Sequence, residues 1–429
     1  MASYSETLER IYNLRGGIID LRLDRVDRAL ALFDHPERTF PSIHIAGTNG
    51  KGSTSAMLHR ILSLAGYRTA LYTSPHLVSF TERIKIGEEE ISQQDVVGIA
   101  EEIRRRTEAA DVPLTFFEVV TVMAFIYFAR QRIDLAVVEV GLGGRLDATN
   151  VITPLVSVIT TVSKDHEAYL GSDLVSIARE KAGIIKPAIP VVCGALSEEV
   201  AELVRQIVND RRSRAFFLGT DFKFSLKNEG FFDYTGIKRH FSKLSVGLRG
   251  QHQKYNAAIA LAALEGIQEH LPTDETAVRQ GLLTVVWPGR LEVMLERPTV
   301  IIDGAHNGEG VRALINEIES FQGRRIKLLF AAMADKEWQL MLAGLTDVVD
   351  EVIFTKVSME RSADPAEMAK KFSHKVASRT IADSRAGLQT LLNESRPQDV
   401  IIVAGSLYLL GEIRPMLQKI ADSKAALNA

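Results

Sequence analysis

Gly47-Thr48-Asn49-Gly50-Lys51-Gly52-Ser53 gathers three glycines around a lysine, and this run sets the first chemistry the sequence could perform. Ile43, Ile45 and Ala46 precede it and are enough for one short buried strand. Met57, Leu58, Ile61, Leu62 and Ala65 follow at helical spacing, with Gly66 where a helix usually ends. Strand, glycine turn with a lysine, then helix is the layout of a phosphate-binding loop. Glycines let backbone N–H groups converge on phosphate oxygens, the helix N-terminus adds positive potential, and Lys51 adds a mobile cation. The run departs from the common G-x-x-x-x-G-K-[ST] pattern. Thr48 and Asn49 alone separate Gly47 from Gly50, and Gly52 follows the lysine where Ser or Thr is expected.

Further polar groups fall where a parallel sheet would present them to the same ligand. The carboxyl ends of such strands face the ligand crevice, and Ser74, Glu139 and His166 follow or end apolar runs. Glu139 stands inside Leu135-Ala136-Val137-Val138-Glu139-Val140, where a carboxylate is costly unless paired or metal-bound. A structural ion pair is one solution. A nucleoside triphosphate offers another, because it brings Mg²⁺, for which a serine hydroxyl and a carboxylate are suitable hard ligands. Imidazole favours softer metals, so the residues alone leave His166 as a catalytic group or a neighbour of the ligands. The run Arg179-Glu180-Lys181-Ala182-Gly183-Ile184-Ile185-Lys186 reads as ordinary basic surface near a helix end.

The elements that must position these groups belong to a large α/β protein. The chain has 429 residues, so two domains are expected. Hydrophobic residues are 46% and charged residues 24%, an ordinary soluble balance. The formal net charge of −3 argues against a broad nucleic-acid or membrane surface. One cysteine, Cys193, excludes an internal disulfide and a cysteine zinc cluster. The N-terminus lacks a basic start with an apolar stretch, so no signal peptide is expected. No segment nears the roughly 18 apolar residues of a membrane span. A cytoplasmic protein follows.

Residues 5–14 and 20–33 read as helices, 69–72 as a strand, and Ser92 as the cap of a helix to about 110. Residues 116–130 read as an apolar helix, 135–140 and 155–162 as strands, 173–182 as a helix and 189–193 as a strand. This alternation implies a parallel sheet covered by helices. Residues 215–250 suggest small antiparallel strands, and 255–269 an alanine-rich helix. Trp287-Pro288-Gly289-Arg290 marks a boundary. A second α/β pattern has strands at 299–302, 327–332, 351–356 and 399–403. The expected fold is α/β: a P-loop-type, mostly parallel sheet domain over 1–290 with a small antiparallel subsheet, a linker at 291–296, and a smaller Rossmann-like domain over 297–429.

Several runs occur together in a fixed order: the glycine-lysine loop, Thr73-Ser74-Pro75-His76-Leu77, Glu139-Val140-Gly141-Leu142-Gly143-Gly144-Arg145-Leu146-Asp147-Ala148-Thr149-Asn150, Asp165-His166, and Arg179-Glu180-Lys181-Ala182-Gly183. Asn256-Ala257-Ala258, Pro288-Gly289-Arg290 and Asp303-Gly304-Ala305-His306-Asn307 complete the set. It resembles the Mur-ligase superfamily and, more narrowly, the bacterial folylpolyglutamate synthase and dihydrofolate synthase family, over roughly residues 15–410. A single motif would be weak; the ordered combination is specific.

The resemblance implies roles. Thr48, Asn49, Gly50, Lys51, Gly52 and Ser53 would cradle the ATP phosphates, with Asn256, Arg290 and Asp303 as further ATP contacts. ATP would then bind between the domains, and their closure would complete the site. Ser74, Glu139 and His166 would ligate Mg²⁺. Lys181 matches a lysine that CO₂ carboxylates; its carbamate would serve a second metal ion. The pterin pocket would use Asp20, Leu21, Arg22 and Leu23, then Thr115, Phe116, Phe117 and Glu118, then Leu146, Asp147 and Ala148. Before the resemblance is applied, the Phe pair reads more readily as core than as a ring contact. Arg22 stands where the family usually has Gly, and Gly308 where it often has Pro.

The implied reaction is ATP-dependent amide ligation. A pteroate or folate carboxylate takes the γ-phosphoryl group as an acyl phosphate, and the amine of L-glutamate displaces phosphate. Lys51, Lys181 and His306 would be catalytic, with His306 orienting ATP, glutamate or the acyl phosphate. The enzyme would make dihydrofolate and extend folates, as a monomer, without nucleic-acid or membrane partners. Alternatives are a ligase that only extends folates, a peptidoglycan-precursor ligase, and a nucleotide-binding protein without chemistry.

Overall fold

A fully buried strand, β1 (Ser42–Ala46), leads into the glycine-lysine loop, and the loop opens directly into α3 (Lys51–Leu64). The computed structural model describes residues 3–14, 22–372 and 376–428. It forms two compact units: Met1–Gly247 with Gln253–Val285, and Leu248–His252 with Val286–Ala429.

In the first unit, α1 (Tyr4–Asn13) and α2 (Asp24–Ala31) precede β1. After α3 come β2 (Thr69–Tyr72), β3 (Ile84–Ile86), β4 (Glu89–Glu90), α4 (Gln93–Ala109), α5 (Phe116–Arg130) and β5 (Leu135–Glu139). Next are β6 (Val156–Ile159), α6 (Glu167–Leu170), α7 (Leu174–Ala182), β7 (Val191–Cys193), α8 (Glu198–Asp210) and β8 (Ala215–Phe217). The unit closes with β9 (Lys223–Leu226), β10 (Phe232–Thr235), β11 (His240–Leu244), α9 (His252–Ile267) and α10 (Glu275–Thr284). The main sheet has the order β4-β3-β2-β5-β1-β6-β7-β8. The strands from β2 to β8 are parallel, and β3 and β4 add an antiparallel edge. Strands β9 to β11 make a separate antiparallel sheet.

The central strands are apolar because both of their faces are covered. Ala136 and Val138 of β5 join a core with Val26, Leu30, Val120, Phe125 and Phe128 from α2 and α5. Successive strand residues point to opposite faces, so Leu135 and Val137, also buried, serve the other side. The helix starts follow their caps. Ser92 accepts the Asp95 N–H, and Thr115 forms a reciprocal capping box with Glu118.

The second unit holds β12 (Glu292–Glu296), β13 (Thr299–Asp303), α11 (Gly308–Ile318), β14 (Ile326–Phe330), α12 (Trp338–Leu345) and β15 (Glu351–Lys356). It continues with α13 (Pro365–Lys371), β16 (Ala377–Asp383), α14 (Ser384–Glu394), β17 (Val400–Ala404) and α15 (Leu407–Asn428). Its sheet order is β12-β13-β17-β14-β15-β16, parallel except for β12. Ile301, Leu328, Phe330, Met341, Phe354 and Ile402 lie in its core.

Three expectations change. Residues 291–296 are not a linker: β12 pairs antiparallel with β13, and the punctuation around Pro288 and Pro298 masks a strand. Helix α2 begins at Asp24. Residues 215–217 extend the main sheet as β8 instead of joining the antiparallel one.

Candidate active site

The loop from Gly47 to Ser53 is tied to the turn after β6. Thr48 donates its N–H to Thr161 O at 2.9 Å. Its hydroxyl donates to Ser163 O and accepts the Ser163 N–H, both at 3.0 Å. The Asn49 N–H reaches Thr161 Oγ1 at 2.9 Å, and the hydroxyls of Thr160 and Thr161 donate back to Asn49 O at 2.7 and 3.2 Å. Gly47 and Gly50 have φ angles of 154° and 87°. A Cβ at Gly47 would collide with the Thr160 side chain, and one at Gly50 with the Asn256 amide. Glycine alone adopts such angles against such neighbours without strain. Gly50 gives α3 no side-chain cap, so the helix start keeps its positive end at the loop. Gly52 and Ser53 are buried in the first turn, and Lys51 Nζ donates to Gly47 O and Thr48 O. Asn256, buried on α9, donates to Gln253 Oε1 at 3.0 Å.

Four neighbouring strands carry polar groups to one edge. In the order β2-β5-β1-β6, Ser74 follows β2, Glu139 ends β5, the glycine-lysine loop follows β1, and Asp165 and His166 lie beyond β6. Ile45 and Glu139 are register partners. Glu139 is 5% exposed, and its Oε2 accepts the Ser74 N–H at 3.4 Å. His166 starts α6 with φ of 54°, donates its N–H to Asp165 Oδ1 at 2.8 Å, and has a side chain 40% exposed. Ser74 and Glu139 are thus in contact, while His166 stands at a different strand end and is partly in solvent. Among the described residues no group of three or more His, Cys, Asp or Glu side chains is arranged to hold a metal. A buried carboxylate beside a serine, on the strand next to the one that carries the glycine-lysine loop, offers the hard oxygens that suit Mg²⁺.

Lys181 is not ordinary surface: it is 4% exposed near the end of α7. The last turn of α7 is held against the loop after β5, where the Arg145 N–H reaches Glu180 O at 2.7 Å and the two side chains pair at 2.8 Å. Burial, reinforced by the Lys51 ammonium and opposed by Asp165, pushes the Lys181 amine down to about 7.

The residues expected at the pterin pocket divide. Phe116 stacks on Tyr12, with centroids 5.4 Å apart, and lies under the Arg83 guanidinium. The Phe117 ring fills the space a side chain at Gly141 would need. Glu118 is buried and engaged by Arg25, whose Nη2 and Nε donate at 2.8 and 3.0 Å. Its Oε2 also accepts the Thr115 N–H at 2.7 Å. Asp147 is buried among loop donors: Leu142 N–H at 2.8 Å, Thr149 N–H at 3.0 Å and Thr149 Oγ1 at 2.5 Å. Ala148 is buried and Leu146 half-buried beside it. Arg22 lies near Asp24, both well exposed, and Leu23 precedes α2. Asp20 and Leu21 lie outside the described residues.

In the second unit, Asp303 ends β13. It accepts the Leu291 N–H at 2.8 Å and the Ala305 N–H at 2.9 Å. Burial raises its carboxyl pKa against the pull of the Arg290 charge. The Arg290 guanidinium lies against Gly304, and His306 is bonded through Nδ1 to Gly304 O at 2.8 Å. Asn307 caps α11, so Gly308 at its first position replaces the family proline without loss of the helix start.

The chain matches the Mur ligase middle domain over residues 45–264 and the Mur ligase glutamate ligase domain over residues 289–407. It is 33% identical over 411 residues to the dihydrofolate synthase/folylpolyglutamate synthase of Bacillus subtilis, covering 92% of this chain and 95% of that one. The chain belongs to the dihydrofolate synthase/folylpolyglutamate synthase family of Mur ligases. Solved structures of this ligase family share its fold. Escherichia coli FolC in complex with DHPP and ADP has a TM-score of 0.90 at 29% identity, covering 97% of this chain and 98% of that one. The bifunctional folylpolyglutamate synthase/dihydrofolate synthase of Yersinia pestis, complexed with AMPPNP and Mn ion, gives 0.88 at 31%, covering 97% and 98%.

Two residues of this ligase lie outside the motifs and were not singled out from sequence. Arg25 pairs with Glu118 from 93 residues away, and no local pattern signals that. His44 is fully buried in β1 and bonded to Thr149. The signal for His44 was present: a polar residue inside an apolar strand, as at Glu139.

No helix among the described residues is long and apolar enough to cross a membrane.

Proposed function

We propose that this chain is a bifunctional dihydrofolate synthase/folylpolyglutamate synthase that joins L-glutamate to dihydropteroate and to reduced folate glutamates at the expense of ATP. The observation that carries this reading is the shared edge of β2, β5, β1 and β6, where Ser74, Glu139, the phosphate loop and Asp165-His166 come from adjacent parallel strands. The membership and the named ligands of the relatives support the substrates.

In this reading the loop from Gly47 to Ser53 and the positive end of α3 bind the ATP phosphates, and Lys51 balances charge on the transferring group. Asn256, Arg290 and Asp303 are proposed as further ATP contacts. A pteroyl carboxylate oxygen attacks the γ-phosphorus, ADP leaves, and an acyl phosphate forms. The glutamate amine then attacks the acyl carbon, and phosphate departs with the original carboxylate oxygen. Ser74, Glu139 and His166 would hold Mg²⁺, which neutralises phosphate oxygens when bound. A cationic contact to the transferring group is worth about 3 kcal/mol of barrier, by analogy with single donors in other sites.

A second metal ion would need Lys181 as a carbamate. An amine at about 7 supports that, since only the neutral form attacks CO₂, and much of it is neutral near pH 7. Phe116, Phe117 and residues 146–148, with the segment from Asp20 to Leu23, are proposed to line the pteroyl site. His306 is proposed to orient the acyl phosphate or glutamate. A monomer in the cytoplasm completes the reading.

The test is glutamate-dependent ADP release with dihydropteroate, tetrahydrofolate and a UDP-muramyl precursor. Turnover with both pteroyl acceptors is expected. Turnover with tetrahydrofolate alone would reduce the activity to folate extension, and turnover with the muramyl compound alone would overturn the folate reading.

A further inference from the structure

We propose that His44 is a positioning residue for the pteroyl substrate: through Thr149 it fixes Asp147, and so the loop from Glu139 to Asp147, against the strand that carries the phosphate loop. The inference rests on the proposed place of residues 146–148 in the pteroyl site.

His44 sits in the middle of β1, opposite Val138 of β5 and Ser157 of β6, and is wholly inaccessible to solvent. Its neighbours in the strand are Ile43 and Ile45. Burying an imidazole in such a strand is unfavourable unless its nitrogens are bonded, and a valine would serve packing alone better. One nitrogen is bonded: Nε2 lies 2.8 Å from Thr149 Oγ1. Nδ1 is buried without a hydrogen-bond partner. The cost of burial therefore has to be offset through Thr149.

The direction of the chain of bonds follows from its end. Both Asp147 oxygens already accept a backbone N–H, Oδ2 from Leu142 and Oδ1 from Thr149, and Oδ1 also takes the Thr149 hydroxyl at 2.5 Å. The single Thr149 proton is thus committed to Asp147, and the hydroxyl must accept from His44 Nε2–H. His44 is then the Nε2–H tautomer with a bare Nδ1, the cheaper of its two nitrogens to leave unpaired. Asp147 in turn holds the Leu142 amide, next to Gly141, whose backbone packs under Phe117. One relay so connects β1, three residues before the phosphate loop begins, to the loop that borders both Glu139 and the aromatic pair. The far side of the same turn is held independently, by Lys186 Nζ on Asn150 O at 2.7 Å and by Asn150 Nδ2 on Arg145 O and Gly183 O. Without His44 the turn remains folded but loses its tie to β1.

The test compares His44→Leu, which keeps bulk and removes the donor, with His44→Gln, whose amide reaches the Nε2 position. In steady-state ADP release, His44→Leu is expected to raise the KM for dihydropteroate about tenfold, in the range seen when groups that orient a ligand are removed, with the KM for ATP changed less than twofold. His44→Gln is expected to recover most of the loss. His44→Leu/Thr149→Val should be no worse than the poorer single variant. Nitrogen-15 spectra of the native protein, assigned with His44→Leu, should give the Nε2–H tautomer. An Nδ1–H tautomer, equal changes in both KM values, or a Gln variant no better than Leu overturns the proposal. So does a folded Leu variant with an unchanged pteroyl KM. Native enzyme without any pteroyl-dependent turnover would instead overturn the proposed function, and this inference with it.

Discussion

Lys51 Nζ donates to the carbonyl of Gly47 at 3.0 Å and to that of Thr48 at 3.2 Å. The lysine that opens α3 therefore lies back over the start of its own loop, with its charge held where the phosphates are proposed to bind. Lys51→Ala should reduce ADP release by about 100-fold or more, the scale of losing one electrostatic donor at a transferring group. Its melting temperature should move little, since Lys51 is half-buried and its bonds are to loop carbonyls. Near-native turnover in that variant, measured by coupled ADP release, would refute the role.

Arg25 and Glu118 form a buried pair between α2 and α5, with side chains 9% and 5% exposed. Removing the guanidinium leaves a carboxylate in a poorly solvated place. Arg25→Leu should cost about 3–5 kcal/mol in urea unfolding. Arg25→Leu/Glu118→Gln should recover part of that, because the amide is uncharged and can still serve the cap of α5. A double variant less stable than Arg25→Leu would contradict this account.

Burial lowers two imidazoles from 6.5: His44 to about 3, helped by the Lys186 charge, and His59 to about 4, against a bond to Thr69 O. The unfolded chain binds more protons than the folded one between those values and 6.5, so stability rises with pH there. The contribution is complete above pH 6.5 and is lost as pH falls toward 4. At pH 5 each histidine should have cost about 2 kcal/mol relative to pH 7. Buried Asp147 and Asp303 are shifted upward and act in the opposite sense. The difference in pH dependence between native protein and His44→Leu isolates one group. Identical slopes of unfolding free energy between pH 5 and 6.5 would show that His44 is not excluded from protonation.

Lys181 is buried close enough to Lys51 and Asp165 for both charges to act on it. If its carbamate is needed, Lys181→Ala should lose about 100-fold or more in turnover and regain part with formate or acetate, which supply the missing carboxylate. Native enzyme depleted of CO₂ should slow and recover with bicarbonate. Mass spectrometry of the active complex finding unmodified Lys181 would remove the carbamate from the mechanism.

Much of this was legible because the signals are local. Gly47 and Gly50 declare the tight turn from β1 into α3 through backbone freedom, and Ser92 and Thr115 cap the helices their side chains suggested. The sheet edge followed from the alternation of apolar strands and helices. What escaped depends on distant partners or on context. Lys181 near the end of α7 has the sequence appearance of surface, and only the packing of α7 on the loop after β5 buries it. The pairing of Glu118 with Arg25 was not legible because Arg25 comes from another helix. Residues 291–296 read as a linker because Trp287-Pro288-Gly289-Arg290 punctuates the chain just before them, although Val293-Met294-Leu295 is an apolar run long enough for a short strand.

The most direct measurement follows the oxygen. Dihydropteroate labelled with ¹⁸O in its carboxylate is turned over with ATP and L-glutamate, and the products are weighed by mass spectrometry. An acyl phosphate requires one carboxylate oxygen to leave with phosphate, so each new amide should yield one ADP and one singly labelled phosphate. Unlabelled phosphate accompanying each new amide would contradict the account.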